Sequence, residues 1–342
     1  MSQSAARLFS SAWFRLGIGI GISLITLYLA FQQVPLANLS QILALVNPGW
    51  IVLAFVSVGS NTFFKAVRWK AILAEPGQNV PLSQVLLSFL AGSLLNWVYP
   101  ARIGDLSRAF VAGDRGPGKV FVLGTIALEK IFDTICYALL IFLLLLIIPL
   151  PDWLKDPGRV LAVVSLLMII LMIALVSRRA WLVKAAGWLA HRGPGWIPQQ
   201  LRSRATGYLQ SGLSSLNVLQ TGWRVWIIVL WSILIWVTAF TTTFLVVQSL
   251  PIPFTGWSQR LTASLLTLVT LQAGISIPSV PGRFGVFELA CVLALGYFGI
   301  EQVLASGFGL LLHGVVLIPA VIAGAFAIIA LGSSFKRSPG GW

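Results

Sequence analysis

Two short stretches of the sequence share a pattern of residue types that suits the binding of a phosphate group. The first is Pro-Ala-Arg-Ile-Gly-Asp at residues 100–105, and the second is Pro-Gly-Arg-Phe-Gly at residues 281–285, with Glu288 shortly after it. Proline and glycine interrupt helices and leave backbone N–H groups free, and such groups at a helix N-terminus attract anions. The arginine in each stretch would add charge-assisted hydrogen bonds to phosphate oxygens.

Further ionisable residues stand in apolar surroundings. Glu129 and Asp133 are four positions apart, so they lie on one face of a predicted helix. An ionisable group inside a membrane costs several kcal/mol unless it is paired, which favours a functional or ion-paired site. The alternative is that these carboxylates lie at the membrane interface and pair with Arg102 or Arg108.

Two residues near the second stretch also have a plainer interpretation. Glu288 would form a salt bridge to Arg283, and His313, on an otherwise apolar helix, would hydrogen-bond to a neighbouring helix. All these residues together form the predicted site: Asn96, Pro100, Arg102, Gly104, Asp105, Arg108, Glu129, Asp133, Pro281, Gly282, Arg283, Gly285, Glu288 and His313.

The composition determines what kind of elements must position these residues. The 342 residues are 58% hydrophobic and 9% charged, whereas a soluble domain usually carries about 25% charged residues. The fold class is therefore an all-α polytopic membrane protein. Six segments are long and apolar enough to be full spans: 16–32, 50–67, 121–150, 160–176, 224–249 and 303–331.

The net charge of +14 has two interpretations. Basic surfaces bind nucleic acid, but here the basic residues lie between apolar segments, which is typical of the loops that remain in the cytoplasm. We therefore expect no nucleic acid partner, and we expect membrane lipids with anionic headgroups as partners. The expected location is the plasma (inner) membrane of a bacterium, as a multi-pass protein.

Two shorter apolar regions, 84–112 and 261–299, contain the two stretches and several polar residues. If the first region enters the membrane and returns, eighteen basic residues lie on one face and three on the other; if it spans, the division is thirteen to eight. The positive-inside rule favours re-entry, with both termini in the cytoplasm. The second region then re-enters from the opposite face.

This topology predicts one domain over residues 1–342, built from two inverted halves. The first half covers about 16–176 with hairpin 84–112, and the second covers about 224–332 with hairpin 261–299. Residues 178–222 form either an amphipathic segment on the cytoplasmic surface or a loop that folds over the helix ends. Broken segments at corresponding places of inverted halves indicate a transporter's binding site near the membrane midplane.

Motifs for other chemistry are weak. Residues 113–119 have the spacing of a phosphate-binding loop, but Val120 replaces the hydroxyl residue that would hold magnesium. His191 and His313 are far apart, and Cys136 and Cys291 lie in apolar stretches, so no zinc site is indicated. The sequence predicts no cofactor, no metal and no catalytic residue.

Three segments together, residues 96–109, 128–133 and 281–288, resemble the flippase-like transmembrane domain of lysylphosphatidylglycerol synthases. The resemblance implies that the chain moves a polar lipid headgroup between leaflets and that the motif residues line the path. It shows no counterpart of the aminoacyl-transferring domain, so a separate enzyme would modify the lipid. Arg283 stands where the family usually has a second glycine, and His313 where arginine is common, which leaves the headgroup's identity open.

The predicted function is therefore lipid translocation, with a phospholipid or polyprenyl-phosphate-linked headgroup as cargo. A membrane-embedded glycosyl- or phosphotransferase is the alternative, with the carboxylates as metal ligands or general base. An ion-coupled carrier of small solutes shares the broken-helix architecture.

Overall fold

The computed structural model describes residues 21, 24–32, 34–74, 80–99, 103–113, 118–149, 151–178, 181, 184, 185, 188, 199–275 and 281–336. Every regular element within these ranges is helical. The α-helices are α1 (Leu36–Ala44), α2 (Pro48–Leu73), α3 (Leu82–Val98), α4 (Ile103–Gly113), α5 (Lys119–Ile147), α6 (Asp152–Ser177), α7 (Gln199–Ser214), α8 (Gly222–Ser249), α9 (Trp257–Ile275), α10 (Val286–Gly296) and α11 (Gln302–Lys336). Short 3₁₀ helices occupy Ser215–Gln220 and Pro281–Arg283.

Four of the described helices, α2, α5, α8 and α11, are long and apolar enough to cross a membrane, so the chain is a multi-pass membrane protein. They confirm four of the predicted spans. The predicted span at 160–176 is helical within α6. The predicted span at 16–32 falls largely outside the described residues, although residues 24–31 are helical. Much of the first part of the predicted amphipathic segment 178–222, including residues 189–198, also falls outside them, and the part from 199 to 220 is helical.

Helices α2 and α8 form an antiparallel pair that is joined by polar side chains. The Asn61 amide donates to the carbonyl oxygen of Ile235 at 2.6 Å and to the Thr238 hydroxyl at 2.9 Å. The Asn47 N–H donates to the Ser249 carbonyl at 2.8 Å, so the beginning of α2 lies beside the end of α8. Interhelical hydrogen bonds of this kind are a main source of helix association where no water competes.

Helices α3 and α4 form an antiparallel hairpin, called hairpin 1. Gly92 and Gly104 touch so closely that a Cβ on Gly104 would overlap the Gly92 carbonyl oxygen, and Val85 packs in one cluster with Ala112. The 11 residues of α4 extend only about 16 Å, which is short of a hydrocarbon core of about 30 Å. Helix α4 is therefore too short to cross the bilayer by itself, and the open end of hairpin 1 lies beside the start of α5, where Gly113 lies against Lys119.

Helices α9 and α10 form a second antiparallel hairpin, called hairpin 2. Gly274 packs against Val286, and Val269 lies in one cluster with Ala294. The Tyr297 hydroxyl, just after α10, donates to the carbonyl oxygen of Pro149 just after α5. The open ends of the hairpins thus lie at opposite ends of α5, and the hairpins occupy the two stretches for which re-entry was predicted.

The same arrangement of packed helices occurs twice. Helix α5 packs against α4 with its first half and against α9 with its second half, where Ile141 joins one cluster with Leu265. Helix α11 packs against α10 with its first half and against α3 with its second half, where Gly324 touches Leu94. Exchanging α2 with α8, hairpin 1 with hairpin 2 and α5 with α11 leaves this list of neighbours unchanged.

Candidate functional site

A buried ion pair joins hairpin 1 to α5. The Arg108 guanidinium makes two contacts with the Glu129 carboxylate, Nη2 to Oε2 at 2.7 Å and Nη1 to Oε1 at 3.4 Å. Both residues are 2% exposed. The guanidinium also lies 4.0 Å from the ring centroid of Trp69 and 4.6 Å from that of Phe89. A planar cation held by two oxygens and two aromatic faces has a fixed position.

The network continues in two directions from this pair. Arg68 of α2 contacts Asp133 at 2.7 Å and donates to the Ser232 hydroxyl at 3.0 Å. Asp105 lies 3.5 Å from Arg108 and 3.4 Å from the Lys130 ammonium. The Asn96 amide donates to the same Asp105 carboxylate at 3.1 Å. Helices α2, α3, α4, α5 and α8 thus meet at one set of charges.

The network lies well inside the bundle. Glu129 is ten residues beyond Lys119, the first residue of α5, which is about 15 Å along the helix axis. At the same rise, the 29 residues of α5 are about 44 Å long, so Glu129 lies about one third of the way along the helix. The pairing with Arg108 that the alternative predicted is present, and the position of this pair relative to the membrane interface stays a prediction. The other partner it named, Arg102, lies outside the described residues.

Lys65 and Arg68 were not predicted as site residues, because both were counted among the basic residues of the cytoplasmic face. Lys65 lies within the predicted span 50–67, and Arg68 lies just beyond its end, whereas α2 continues to Leu73. Arg68 is 0% exposed. A signal was present, because Ser57, Asn61, Lys65 and Arg68 follow one another at spacings of four, four and three, which places them on one helix face.

A second buried pair joins hairpin 2 to α11. The Glu288 carboxylate contacts His313 Nδ1 at 2.6 Å through Oε1, and its Oε2 accepts a hydrogen bond from the Gly285 N–H at 2.7 Å. Glu288 is the third residue of α10, so the second contact caps that helix. His313 therefore bonds a neighbouring helix, as predicted, and its partner is the carboxylate that was predicted to pair with Arg283.

Aromatic rings enclose this second pair and join it to hairpin 1. The His313 ring lies 4.4 Å from Phe287, 4.9 Å from Phe284 and 5.7 Å from Trp97, measured between ring centroids. The Arg283 guanidinium lies 4.6 Å from the Trp97 ring centroid. Trp97 belongs to hairpin 1 and was not singled out from the sequence. The closed ends of the two hairpins therefore meet at this tryptophan.

The turn that closes hairpin 2 needs an unusual backbone. Gly282 has φ of 81°, Arg283 of 60° and Gly285 of 86°, all in the left-handed region. Glycine adopts this region freely, whereas a residue with a side chain is strained there by about 1–2 kcal/mol. The family resemblance predicts glycine at the position of Arg283. The backbone at this position adopts the left-handed conformation that glycine favours, although the residue is arginine.

A cavity of about 680 Å³ lies between the two hairpins and is walled by α2, α5, α8 and α11. This volume suits a small ligand or a lipid headgroup. Its charged lining consists of Lys65, Asp105, Arg108, Glu129, Lys130, Asp133 and Arg283. Its uncharged polar lining includes Asn61, Thr62, Ser93, Asn96, Thr242 and Gln272.

The predicted site residues that the structure describes divide into three groups. Those that line the cavity are Asn96, Asp105, Arg108, Glu129, Asp133 and Arg283. Glu288 and His313 are buried beside Phe287, which lines it. Gly104, Pro281, Gly282 and Gly285 shape the hairpins. Pro100 and Arg102 fall outside the described residues.

The described residues offer no obvious metal site, since no three His, Cys, Asp or Glu side chains among them lie together. A comparison with curated proteins finds no match for the chain. A family does match: its description is lysylphosphatidylglycerol synthase TM region, and it matches residues 16–324. The match covers both hairpins, the buried ion pairs, the membrane-crossing helices α2, α5 and α8, and α11 as far as residue 324. The chain therefore belongs to the family of the lysylphosphatidylglycerol synthase transmembrane region.

Proposed function

We propose that this protein is a lipid translocase that carries an anionic headgroup across the bilayer through the cavity between its two hairpins. The observation that carries the proposal is the cavity itself, since both hairpins end there and its lining inside the bundle is charged. The acyl or isoprenoid tails remain in the surrounding bilayer. Non-helical backbone at membrane depth is tolerated where it lines a cavity.

The twofold arrangement of contacts supports re-entry of the hairpins from opposite membrane faces. The open end of hairpin 1 lies beside the start of α5, and that of hairpin 2 lies beside its end. Helix breaks at corresponding places of two inverted halves are a common transporter architecture, with the binding site between them. Alternating movement of the hairpins would expose the cavity to one leaflet and then to the other.

Exposed tryptophans and basic residues support an orientation. Trp223 and Trp226 are exposed at the start of α8, and Trp153 and Trp257 at the starts of α6 and α9, as expected for two interfacial bands. Arg224, at the start of α8, donates to the Ala74 carbonyl just after α2. The end of α2 and the start of α8 therefore lie at the same end of the bundle as the open end of hairpin 1. That end is richer in basic residues, and we assign it to the cytoplasm of a bacterial cell.

The charge around the cavity favours an anionic cargo. Among the described residues, the network and the cavity lining hold five cations, Lys65, Arg68, Arg108, Lys130 and Arg283, and three carboxylates, Asp105, Glu129 and Asp133. The excess is two positive charges, and a phosphate-bearing headgroup would compensate it. A headgroup with a net positive charge would increase the excess in a site of low dielectric, which is unfavourable.

The contacts of the carboxylates favour translocation over the alternative of a transferase. A general base or a metal ligand needs a carboxylate that is available for its proton or its metal. Asp105, Glu129 and Asp133 each contact at least one cation at 3.5 Å or less. Those contacts hold the carboxylates in structural ion pairs.

A translocation assay with a panel of lipids tests the proposal. Purified protein in liposomes is compared with protein-free liposomes, and a reductant added outside destroys fluorescent lipid as it reaches the outer leaflet. We expect faster loss for lipids with phosphatidic acid, phosphatidylglycerol or polyprenyl phosphate headgroups than for a lipid with a cationic, aminoacylated headgroup. Equal rates with and without protein for every lipid would contradict the proposal, and a modified lipid found by mass spectrometry would support the transferase.

A further inference from the structure

The buried ion pairs differ in whether their net charge is able to change. An arginine remains protonated in proteins, so the pairs Arg108–Glu129 and Arg68–Asp133 each contain a permanent cation. Histidine is the side chain that gains and loses its charge near neutral pH. Among the buried pairs of the described residues, Glu288–His313 is therefore the one suited to bind and release a proton.

The Glu288–His313 pair occupies a position in the second half of the bundle that corresponds to the position of Arg108–Glu129 in the first half. Arg108–Glu129 joins the second arm of hairpin 1 to the helix that follows it, α5. Glu288–His313 joins the second arm of hairpin 2 to the helix that follows it, α11. When hairpin 1 and α5 are exchanged with hairpin 2 and α11, the Arg108–Glu129 pair takes the place of the Glu288–His313 pair. The two hairpins are thus attached to the bundle by similar contacts, of which one depends on a proton.

The imidazole has a free position for that proton. His313 is 2% exposed, its Nδ1 faces Glu288, and its Nε2 is buried without a hydrogen-bond partner among the described groups. When Nδ1 carries the hydrogen and donates it to Glu288, Nε2 has a lone pair. A proton added there turns the histidine into an imidazolium and changes the pair from a net charge of −1 to zero.

The neighbouring helices contribute few other charges. Helices α1 and α3 contain no ionisable side chain, and α10 adds the buried thiol of Cys291. Helix α9, which packs against α10, adds Arg260, which donates to Gln248 near the open end of hairpin 2. Helix α11 itself ends at Lys336. The turn before α10 adds Arg283, whose guanidinium contacts the Trp97 ring, and Trp97 in turn stacks with His313. Helix α2 adds Lys65, which lines the cavity, Arg68, which is paired with Asp133, and Lys70 at its end, and α8 adds Arg224 at the end of the bundle. The charge in the cavity is thus the main variable that acts on this pair.

We propose that Glu288 and His313 bind a proton together with the anionic headgroup, so that each translocated headgroup moves with a proton. This inference rests on the proposed function. An anion beside Arg283 favours the protonated pair, because a nearby negative charge stabilises a cation. By linkage, the proton in turn raises the affinity for the anion by the same factor. Translocation of an anionic lipid then speeds up as the pH falls through the titration of the pair.

The direct test uses the fact that the chain contains two histidines, His191 and His313. Protein labelled with ¹⁵N-histidine in phosphatidylcholine nanodiscs gives two imidazole signals, and the variant His191→Asn assigns them. Adding phosphatidic acid to the nanodisc is expected to raise the proton affinity of His313 about tenfold, which is one pH unit in its titration midpoint. The shift has to exceed that of His191, since an anionic membrane surface alone also concentrates protons.

A transport measurement completes the test and separates the two proposals. The variant His313→Gln keeps an amide that donates to Glu288 but cannot take the proton, so its translocation is expected to lose the acceleration at low pH that the wild type shows. A His313 midpoint that ignores phosphatidic acid, or wild-type translocation that is equal from pH 5 to pH 8, would overturn proton coupling and leave translocation standing. If no lipid moves, the proposed function fails, while the NMR titration still decides whether proton and anion bind together.

Discussion

Replacing Arg283 by glycine is expected to leave the protein folded and to slow translocation of an anionic lipid by about ten- to a hundredfold. Hydrogen bonds to charged groups contribute about 1.5–3 kcal/mol, and about 1.4 kcal/mol corresponds to a factor of ten. The fold should tolerate the change because φ at this position is 60°, which glycine adopts without strain. The variant thus removes the cation at the junction of the hairpins and not the turn.

Two further variants serve as controls for Arg283→Gly. Arg260→Gln removes the same charge from the same hairpin, but Arg260 lies near its open end, where it donates to Gln248. It should retain the wild-type rate. Arg283→Lys keeps the charge without the planar group that lies on Trp97, and it should fall between the two. Wild-type translocation by Arg283→Gly, with protein amounts and melting temperature matched, would remove Arg283 from the path.

Replacing Glu129 by glutamine is expected to lower the free energy of unfolding by about 3–5 kcal/mol, because it leaves buried cations without their partner. Glu129 contacts Arg108 at 2.7 Å and lies 4.0 Å from Arg68, and both arginines are buried. The melting temperature of the purified protein in detergent measures the effect. Glu301→Gln, at an exposed position just before α11, is the matched control and should melt like the wild type.

A double variant separates structure from transport at the same pair. Arg108→Met combined with Glu129→Met removes both charges and keeps apolar volume, and such replacements of buried ion pairs are often neutral or stabilising. We expect the double variant to recover most of the stability that Glu129→Gln loses, while translocation stays impaired. If Glu129→Gln melted at the wild-type temperature, the pair would not be desolvated in the way that the geometry indicates.

The sequence predicts the architecture because membrane helices leave strong signals. Apolar length alone located α2, α5, α8 and α11. The proline and glycine breaks also located the two hairpins, since each stretch reads as a short apolar segment followed by a turn. The starts and ends were less certain. The predicted span ended at residue 67 and left out Arg68, because a window of hydropathy stops at charged residues even when the helix continues.

Partners were harder to predict than positions. The carboxylates Glu129 and Glu288 were both found from their types, but the partner of Glu288 proved to be His313, 25 positions away, instead of Arg283, which is five away. A short separation in sequence suggested a salt bridge that the left-handed turn at residues 282–285 does not make. Trp97 joins the hairpins through stacking, which no spacing in one sequence reveals.

The measurement that most directly tests the central claim is cross-linking of a phosphatidic acid analogue that carries a photoactivatable group on its headgroup. Protein in liposomes is irradiated, and the linked peptides are identified by mass spectrometry. We predict adducts on both hairpins at the cavity, around Asn96 and Trp97 in hairpin 1 and around Arg283 and Phe287 in hairpin 2, and competition by unlabelled phosphatidic acid. Adducts confined to the outer faces of α6 and α8, with none in the cavity, would contradict the claim that the headgroup passes between the hairpins.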